Sequence, residues 1–420
     1  MNPAPSDPDR PLRICLISYR SNPHSGGQGV YIRHLSQALN NLGHEVEVVS
    51  GPPPMPLDDG IRIRHLPGLD LYNAENPFRM PTFRELADPI NLIEWLGVST
   101  GGFPEPFTFG LRAYRFLRPK WHQYDVVHDN QSLSYGIWAL AKFIPTVATI
   151  HHPITVDRML AVRAAVVPHQ KMIRHRWHSF IGMQKRVSRS LSHIITVSQC
   201  ARRDIQNDFK IPSERFRVVP NGIGTDQFYP SRGIGREKNR LIVTTSADTP
   251  LKGLHYLLQA LARIAATHNV RLTVVGTPKA DGHILRLTRR LGLSSRVTFT
   301  GPIDQQEFFR QYAKASVAVV PSLYEGFGLP AGEAMACGVP VVSTRGGALP
   351  EVVGDAGVLV PPADPAALAA AIVDLLDHPA KARALGQAGC RRVRKHFSWT
   401  VAAAKTVAVY REAIGAYGRL

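Results

Sequence analysis

Short runs of aliphatic and β-branched residues alternate along most of the chain with longer segments whose apolar positions recur at helical spacing. That alternation predicts βαβ units and therefore parallel sheets covered on both faces by helices. A first series of strands reads at 12–18, 45–50, 125–129, 146–150, 193–198 and 216–220, and a second at 241–246, 271–276, 296–301, 316–322, 339–344 and 357–362. Between the series, residues 221–240 ("NGIGTDQFYPSRGIGREKNR") are rich in Gly and polar residues and lack a period, which marks a linker. The expectation is an α/β chain of two doubly wound domains facing across a cleft, 12–220 and 241–396, with 1–11 a disordered tail and 397–420 a final helix. In such sheets ligands bind beyond the carboxyl ends of the strands, so residues that follow strands carry the functional weight.

The period is lost over 51–110. Its Pro- and Gly-rich stretches, "GPPPMPLDDG" and "GVSTGGFPEPFTFG", read as surface loops, the latter made adhesive by Phe103, Phe107 and Phe109. Composition changes this picture little: 420 residues, 44% hydrophobic and 20% charged, suit two globular domains. The first residues carry no apolar signal core, no apolar run approaches the ~20 residues of a membrane span, and four scattered cysteines without metal-ligand spacing fit buried thiols in a reducing compartment. A cytoplasmic protein is expected, peripheral at most on the inner face of a membrane.

Charge adds an anionic partner, because 50 Lys and Arg stand against 32 Asp and Glu, a net charge of +18. The asymmetry peaks between Arg158 and Arg189, where eight Lys and Arg occur without an acid and Trp177, Phe180, Met172 and Met183 are interleaved. A basic helical segment with aromatic neighbours suits an anionic lipid surface. A solvated helix face is the plainer alternative. No nucleic-acid module is present, and nucleic acid is not expected as a partner.

The chemistry concentrates after the strands of the second series. In "YEGFGLPAGEAMACGVPVV" (324–342), Glu325 and Glu333 flank a glycine turn and a helix start, with Pro330 opening the helix and Gly338 closing it. Gly326 and Gly328 let the backbone approach a ligand, while the amides of Phe327, Gly328 and Leu329 can point outward as donors. Carboxylates accept only, which suits paired hydroxyls, so the combination reads as a site for a hydroxyl-rich ligand that carries negative charge. Complementing the helix dipole is the bland reading of Glu333.

Lys252 and Gly253 follow the first strand of the second series and precede a helix, a placement suited to a phosphate. In the first series the matching turn is "SNPHSGGQGVYIRHL" (21–35), whose Gly26, Gly27 and Gly29 do not form the dinucleotide fingerprint. His151 and His152 directly follow a strand; lacking a further ligand at metal spacing, they read as polar contacts to substrate, or as a structural histidine for one of the two.

The run "EGFGLPAGEAMACGVPVV", with "LKGLHYLLQAL", "VVPNGIGTDQFYP", "SGGQGVYIRHLSQALNNLGHEVEVVS" and "FSWTVAAAKTVAVYR", resembles glycosyltransferase family 4, the retaining nucleotide-sugar enzymes of GT-B fold. The resemblance covers nearly the whole chain in order, weakest over 52–120. It implies a final helix that packs back on the first domain and a sugar transfer from a nucleoside-diphosphate sugar to the hydroxyl of a glycan or lipid-linked acceptor. By the same resemblance Glu325 holds the donor sugar, Glu333 the ribose, and Phe327, Gly328 and Leu329 supply amides. Lys252 is similar to the diphosphate lysine, Gly27 to the glycine near the phosphates, His151 to the histidine on the transferred sugar, and His128 to one facing the acceptor, with Gly26 also on the acceptor side. Where the family commonly carries an arginine six residues before the lysine, this chain has Ser246, a donor-binding candidate that can give one hydrogen bond but brings no charge. No Asp-x-Asp motif stands in a suitable place, so no cofactor and no metal are expected, the developing charge being met by Lys252 and amides. A sugar-nucleotide epimerase and a non-catalytic nucleotide-sugar-binding protein are the rival readings.

Overall fold

A computed structural model describes residues 10–20, 27–53, 60–72, 76, 79–163, 165, 167–245 and 247–418. The chain divides into two compact units, one of Met1–Val197, Ala201–Val219 and Ala402–Leu420, the other of Ser198–Cys200 and Pro220–Val401.

The first unit is built on a seven-stranded parallel sheet in the order β3-β2-β1-β4-β5-β6-β7. Its strands are β1 (Arg13–Ser18), β2 (Glu45–Ser50), β3 (Arg62–His65), β4 (Val126–Asn130), β5 (Thr146–Ile150), β6 (His193–Thr196) and β7 (Phe216–Val218). Every residue of β4, β5 and β6 is buried, so these segments lack the alternation of a half-exposed strand, although β4 ends in the polar His128, Asp129 and Asn130. β3 was not legible that way. It is an edge strand of sequence RIRH, largely exposed, whose Arg62 and Arg64 face Glu45 and Glu47 of β2. Charged edge strands resist pairing with other chains and carry no apolar signature.

Of the two stretches expected to be surface loops, 54–59 of the first lie outside the described residues, and the second, 97–110, is largely helical. Helices run over Pro89–Ser99 and Glu105–Leu117, each with a proline in its first turn. Phe103 and Phe109 are 8% and 4% exposed and belong to the core with Ile17, Val49 and Val127, so the adhesive loop is corrected to a core segment. Arg10 also departs from expectation: its guanidinium pairs with Asp125 at 3.1 Å and its carbonyl accepts from Arg411, so residue 10 is anchored although the tail was expected to reach residue 11.

The final helix, Trp399–Tyr417, contributes its part from Ala402 onward to the first unit. Tyr410 is fully buried there and Glu412 pairs with Arg217 at 2.7 Å.

The second unit carries a six-stranded parallel sheet in the order β10-β9-β8-β11-β12-β13. Its strands are β8 (Arg240–Thr244), β9 (Arg271–Val275), β10 (Val297–Phe299), β11 (Val317–Val320), β12 (Val341–Thr344) and β13 (Val358–Val360). The helix Leu254–Ile264 buries Leu254, Leu257, Leu258 and Leu261 on this sheet, the spacing of an amphipathic helix. In both sheets the strand order reverses at one place, between β1 and β4 and between β8 and β11. Loops leaving the two strands at such a switch point diverge, opening a crevice at their carboxyl ends.

Candidate functional site

At the switch point of the second unit, the segment after β8 turns through Pro250–Lys252 and then Gly253, with φ +66°. A side chain at Gly253 would place Cβ 2.0 Å from the carbonyl oxygen of Pro321, just past β11, so only glycine lets the two post-strand segments lie this close. The Leu323 amide donates to the Leu251 carbonyl at 2.8 Å and holds them together. The result is that Lys252 Nζ donates to Glu325 Oε1 at 2.8 Å, although 73 residues separate them. Ser322 Oγ donates to the same oxygen, also at 2.8 Å, and among the described residues nothing donates to Oε2 of Glu325. The lysine retains 32% of its side-chain exposure and the glutamate 11%, so a ligand can reach both.

The chain then makes its glycine turn. Gly328 has φ +104°, and a Cβ there would meet Leu349 Cδ2 at 2.7 Å. This conformation starts the helix Leu329–Ala336 and aims its first amides outward; among the described residues no acceptor takes the amides of Phe327, Gly328 or Leu329. The ring of Phe327 is 5% exposed and packs edge-on against Phe397, so this residue offers its backbone alone.

Glu333 lies one turn into that helix. Tyr312, which is 1% exposed on the helix Gln305–Lys314, donates to Glu333 Oε2 at 3.2 Å and lies 3.0 Å from Thr244 Oγ1 at the end of β8. Glu333 as a whole residue is half-buried, and burial of its carboxyl pushes the pKa up to about 7, with the Tyr312 hydrogen bond opposing that rise. Glu333 is therefore a carboxylate poised to change protonation near neutrality.

A second cluster stands at the switch point of the first unit. Gly27 opens the helix Gly27–Asn41 after β1; Gly26, like Ser246, lies outside the described residues. At the end of β4, Asn130 Nδ2 donates to the Gln28 carbonyl and Ser18 Oγ, each at 3.2 Å. That fixes Asn130 Oδ1 as the atom 2.8 Å from His151 Nε2, so His151 carries its proton on Nε2 and keeps a lone pair on Nδ1. Burial, helped by His152 and His128, pushes the pKa of His151 down to about 3, and the ring is neutral at any physiological pH. Gln131 adds a 2.9 Å bond from the His151 amide to its Oε1.

The loop after β4 is strained: Gln131 and Leu133 have φ of +59° and +47° without being glycine. Asp129 holds it, accepting from Ser132 Oγ at 2.5 Å and from the Leu133 amide at 2.7 Å. His128 does not face an acceptor. It is fully buried, with Nδ1 2.6 Å from the Tyr410 hydroxyl and Nε2 2.7 Å from Thr149 Oγ1, so both nitrogens are satisfied inside the unit. Its role is structural, tying β4 to β5 and to the final helix.

The basic segment also changes character. Phe180 and Met183 are buried, and Trp177 stacks on Phe103 with centroids 5.2 Å apart, so these residues build the core rather than a lipid-facing surface. Lys185 pairs with Asp208 at 2.6 Å, and Arg189 donates to the Phe209 carbonyl. What remains outward is the helix Pro168–Trp177, with no buried residue and with Met172 and Ile173 exposed between Lys171 and Arg174. Among the described residues no helix is long and apolar enough to cross a membrane.

Comparison with known proteins bears on both units. The family model described as Glycosyltransferase Family 4 matches residues 25–227, and that described as Glycosyl transferases group 1 matches residues 238–378. An MMP alpha-(1->4)-mannosyltransferase of Mycolicibacterium hassiacum is 48% identical, the match covering 96% of this chain and 98% of that protein. The chain belongs to glycosyltransferase family 4.

The family assignment extends to further relatives. A D-inositol 3-phosphate glycosyltransferase 2 of Catenulispora acidiphila is 30% identical over 96% of each chain. The solved structure of a sucrose-phosphate synthase from Thermosynechococcus elongatus superposes with a TM-score of 0.72 at 26% identity, covering 96% of this chain and all of that one. The two parallel-sheet units are thus those of the GT-B glycosyltransferases. In this family 4 chain, sequence reasoning singles out Lys252, Glu325, Glu333 and His151 as candidates, and the structure joins the first two directly. It missed Ser322, Tyr312 and Asn130, which hold Glu325, Glu333 and His151 in place. Asn130 was within reach, since it ends β4 and ligand-facing groups follow strand ends. Tyr312 gave no signal, because a buried tyrosine in a helix looks like any core aromatic.

Proposed function

We propose that the chain is a retaining α-(1→4)-mannosyltransferase that uses a nucleoside-diphosphate mannose as donor and a mannose-containing glycan hydroxyl as acceptor. The observation that carries this reading is the Lys252–Glu325 pair at the switch point beside the open amides of the glycine turn, in a chain 48% identical to an alpha-(1->4)-mannosyltransferase. An α linkage made from an α-linked nucleotide sugar is a transfer with retention.

Each group then has a task. Lys252 and the amides of Phe327, Gly328 and Leu329 receive the negative charge that develops on the departing diphosphate. Oriented donors of this kind meet the charge without reorganising during the reaction, so the proposal needs no metal ion. Glu325, its Oε1 held by Lys252 and Ser322, offers Oε2 to hydroxyls of the transferred sugar. Glu333 in its ionised form accepts from the ribose hydroxyls. His151, kept neutral and in one tautomer by Asn130, offers Nδ1 as an acceptor to a sugar hydroxyl.

The test is to incubate purified protein with UDP-, GDP- and ADP-linked mannose and glucose, with and without mannoside acceptors, in the presence of EDTA. Acceptor-dependent transfer from one nucleotide-mannose, undiminished by the chelator, is expected. Isomerised donor formed without acceptor would mark an epimerase, and tight donor binding with no product would mark a non-catalytic protein.

A second reading concerns the acceptor's surroundings: the outward helix Pro168–Trp177, with Met172 and Ile173 among basic residues, supports contact with an anionic lipid surface. Flotation with anionic vesicles at low salt tests it, and the absence of co-flotation would dismiss it.

A further inference from the structure

The second unit contains a cavity of about 710 Å³ that lies far from the chemistry just described. Asn239, Ser316 and Pro340 line it, and these residues immediately precede β8, β11 and β12. It therefore opens at the amino ends of the strands, on the opposite edge of the sheet from Lys252 and Glu325, which follow the carboxyl ends of β8 and β11. The rule that places ligands of doubly wound sheets at carboxyl ends does not account for it. Its volume falls in the range of small-molecule sites, about 300–1,000 Å³.

The lining decides what could occupy it. Leu375, Leu376 and Ala382, from the helices Pro365–Asp377 and Pro379–His396, give an aliphatic wall opposite Pro340. No aromatic residue lines the cavity, so it lacks the ring platform on which a sugar or a base would stack. Four cations and one acid complete it. The acid, Glu237, is already paired with Arg240 at 2.7 Å. Arg236 is committed to the fold, donating to the carbonyls of Ala315 at 2.8 Å, Gly338 at 2.7 Å and Cys337 at 3.2 Å. Lys238, Arg383 and Arg391 are exposed, and among the described residues none has a carboxylate or hydrogen-bond partner. An apolar trough with unpaired positive charges matches a ligand of opposite charge with an apolar body.

We propose that this cavity is a second ligand site, which binds an aliphatic anion: an alkyl chain against Leu375, Leu376 and Ala382, with its terminal carboxylate or phosphate at Lys238, Arg383 and Arg391. The inference is independent of the transfer reaction, because its readout is binding at residues that take no part in donor recognition.

Titration calorimetry of the full chain, below micelle-forming concentrations, with decanoate, decyl phosphate, acetate and inorganic phosphate tests it. Saturable one-to-one binding of decanoate, decyl phosphate or both is expected, and the stronger of the two identifies the head group. Acetate and inorganic phosphate should bind at least tenfold more weakly. The double variant Arg383→Glu, Arg391→Glu, which changes only exposed side chains, should weaken binding at least tenfold, and Ala382→Phe should fill the trough and abolish it. If neither decyl ligand binds saturably, the proposal fails. It fails equally if inorganic phosphate binds as tightly as decyl phosphate, which would leave a bare anion site, or if the charge-reversed protein binds unchanged.

Discussion

Lys252 Nζ and Glu325 Oε1 meet at 2.8 Å across two loops that leave adjacent strands of one sheet. Under the proposed function, the cation that would face the diphosphate and the carboxylate that would face the sugar hold each other in place before either ligand group arrives. The pair is partly open to solvent, so its own contribution to stability is small. Its value is positional: neither side chain has to be ordered when the donor binds.

Lys252→Ala is expected to lower kcat/KM by about 100-fold, the order of loss when one donor to a developing oxyanion is removed. Glu325→Ala should lower it at least about tenfold. Because each residue positions the other, the double variant should lose less than the product of the single losses. Steady-state kinetics of the four proteins decide this, and strictly multiplicative losses would show that the pair does not act as a unit.

Protonation of Glu333 should be visible in nucleotide binding. With its pKa near 7, the carboxylate is lost as pH falls through neutrality, so affinity for the nucleoside diphosphate should weaken between pH 8 and pH 6, and Glu333→Gln should flatten the profile. The folding linkage has the opposite sense. A carboxyl whose folded pKa lies above its unfolded value of 4.5 stabilises the fold below that value, and this contribution is lost as pH rises through 7. Glu333→Gln should therefore raise Tm more at pH 8 than at pH 5, and melting curves at the two pH values check it.

Tyr312→Phe separates positioning from packing, since it removes only a hydroxyl. The loss of its bonds to Glu333 and Thr244 should reduce stability by about 1 kcal/mol. The Tyr312 hydrogen bond lowers the Glu333 pKa, so its removal should move the midpoint of pH-dependent nucleotide binding upward. A merely structural tyrosine would change stability and leave that midpoint where it was.

Asn130→Asp would replace a fixed amide with an anion beside His151 Nε2. The nearby charge favours the imidazolium, raises the His151 pKa and removes the free Nδ1 lone pair as pH falls. The variant should show a new loss of kcat at acid pH that the parent lacks, and His151→Ala should lower kcat at all pH values. An unchanged pH profile for Asn130→Asp would remove His151 from the sugar.

The sequence disclosed the interior strands and the glycine turn because their signals are local. β4 and β5 are fully buried and carry the aliphatic Val126, Val127, Val147, Ala148 and Ile150, and Glu325, Gly328 and Glu333 fall within nine consecutive residues. β3 escaped notice because an edge strand is selected for charge. Over 97–110 the glycines and prolines read as loop formers, whereas Pro104 and Pro106 stand at a helix start. His128 was misassigned for a different reason. Its partner Tyr410 lies 282 residues away, and no local pattern shows that a histidine near a strand end is sealed by a helix from the far end of the chain.

The anomeric configuration of the transfer product tests the account most directly. Purified protein supplied with its nucleotide-mannose and a mannoside acceptor should yield an α-(1→4) product, seen in the one-bond carbon–proton coupling of the new anomeric centre by NMR, and Lys252→Ala should make the same product far more slowly. A β-linked product would contradict transfer with retention, and an α product formed equally fast by Lys252→Ala would contradict the role given to the Lys252–Glu325 pair.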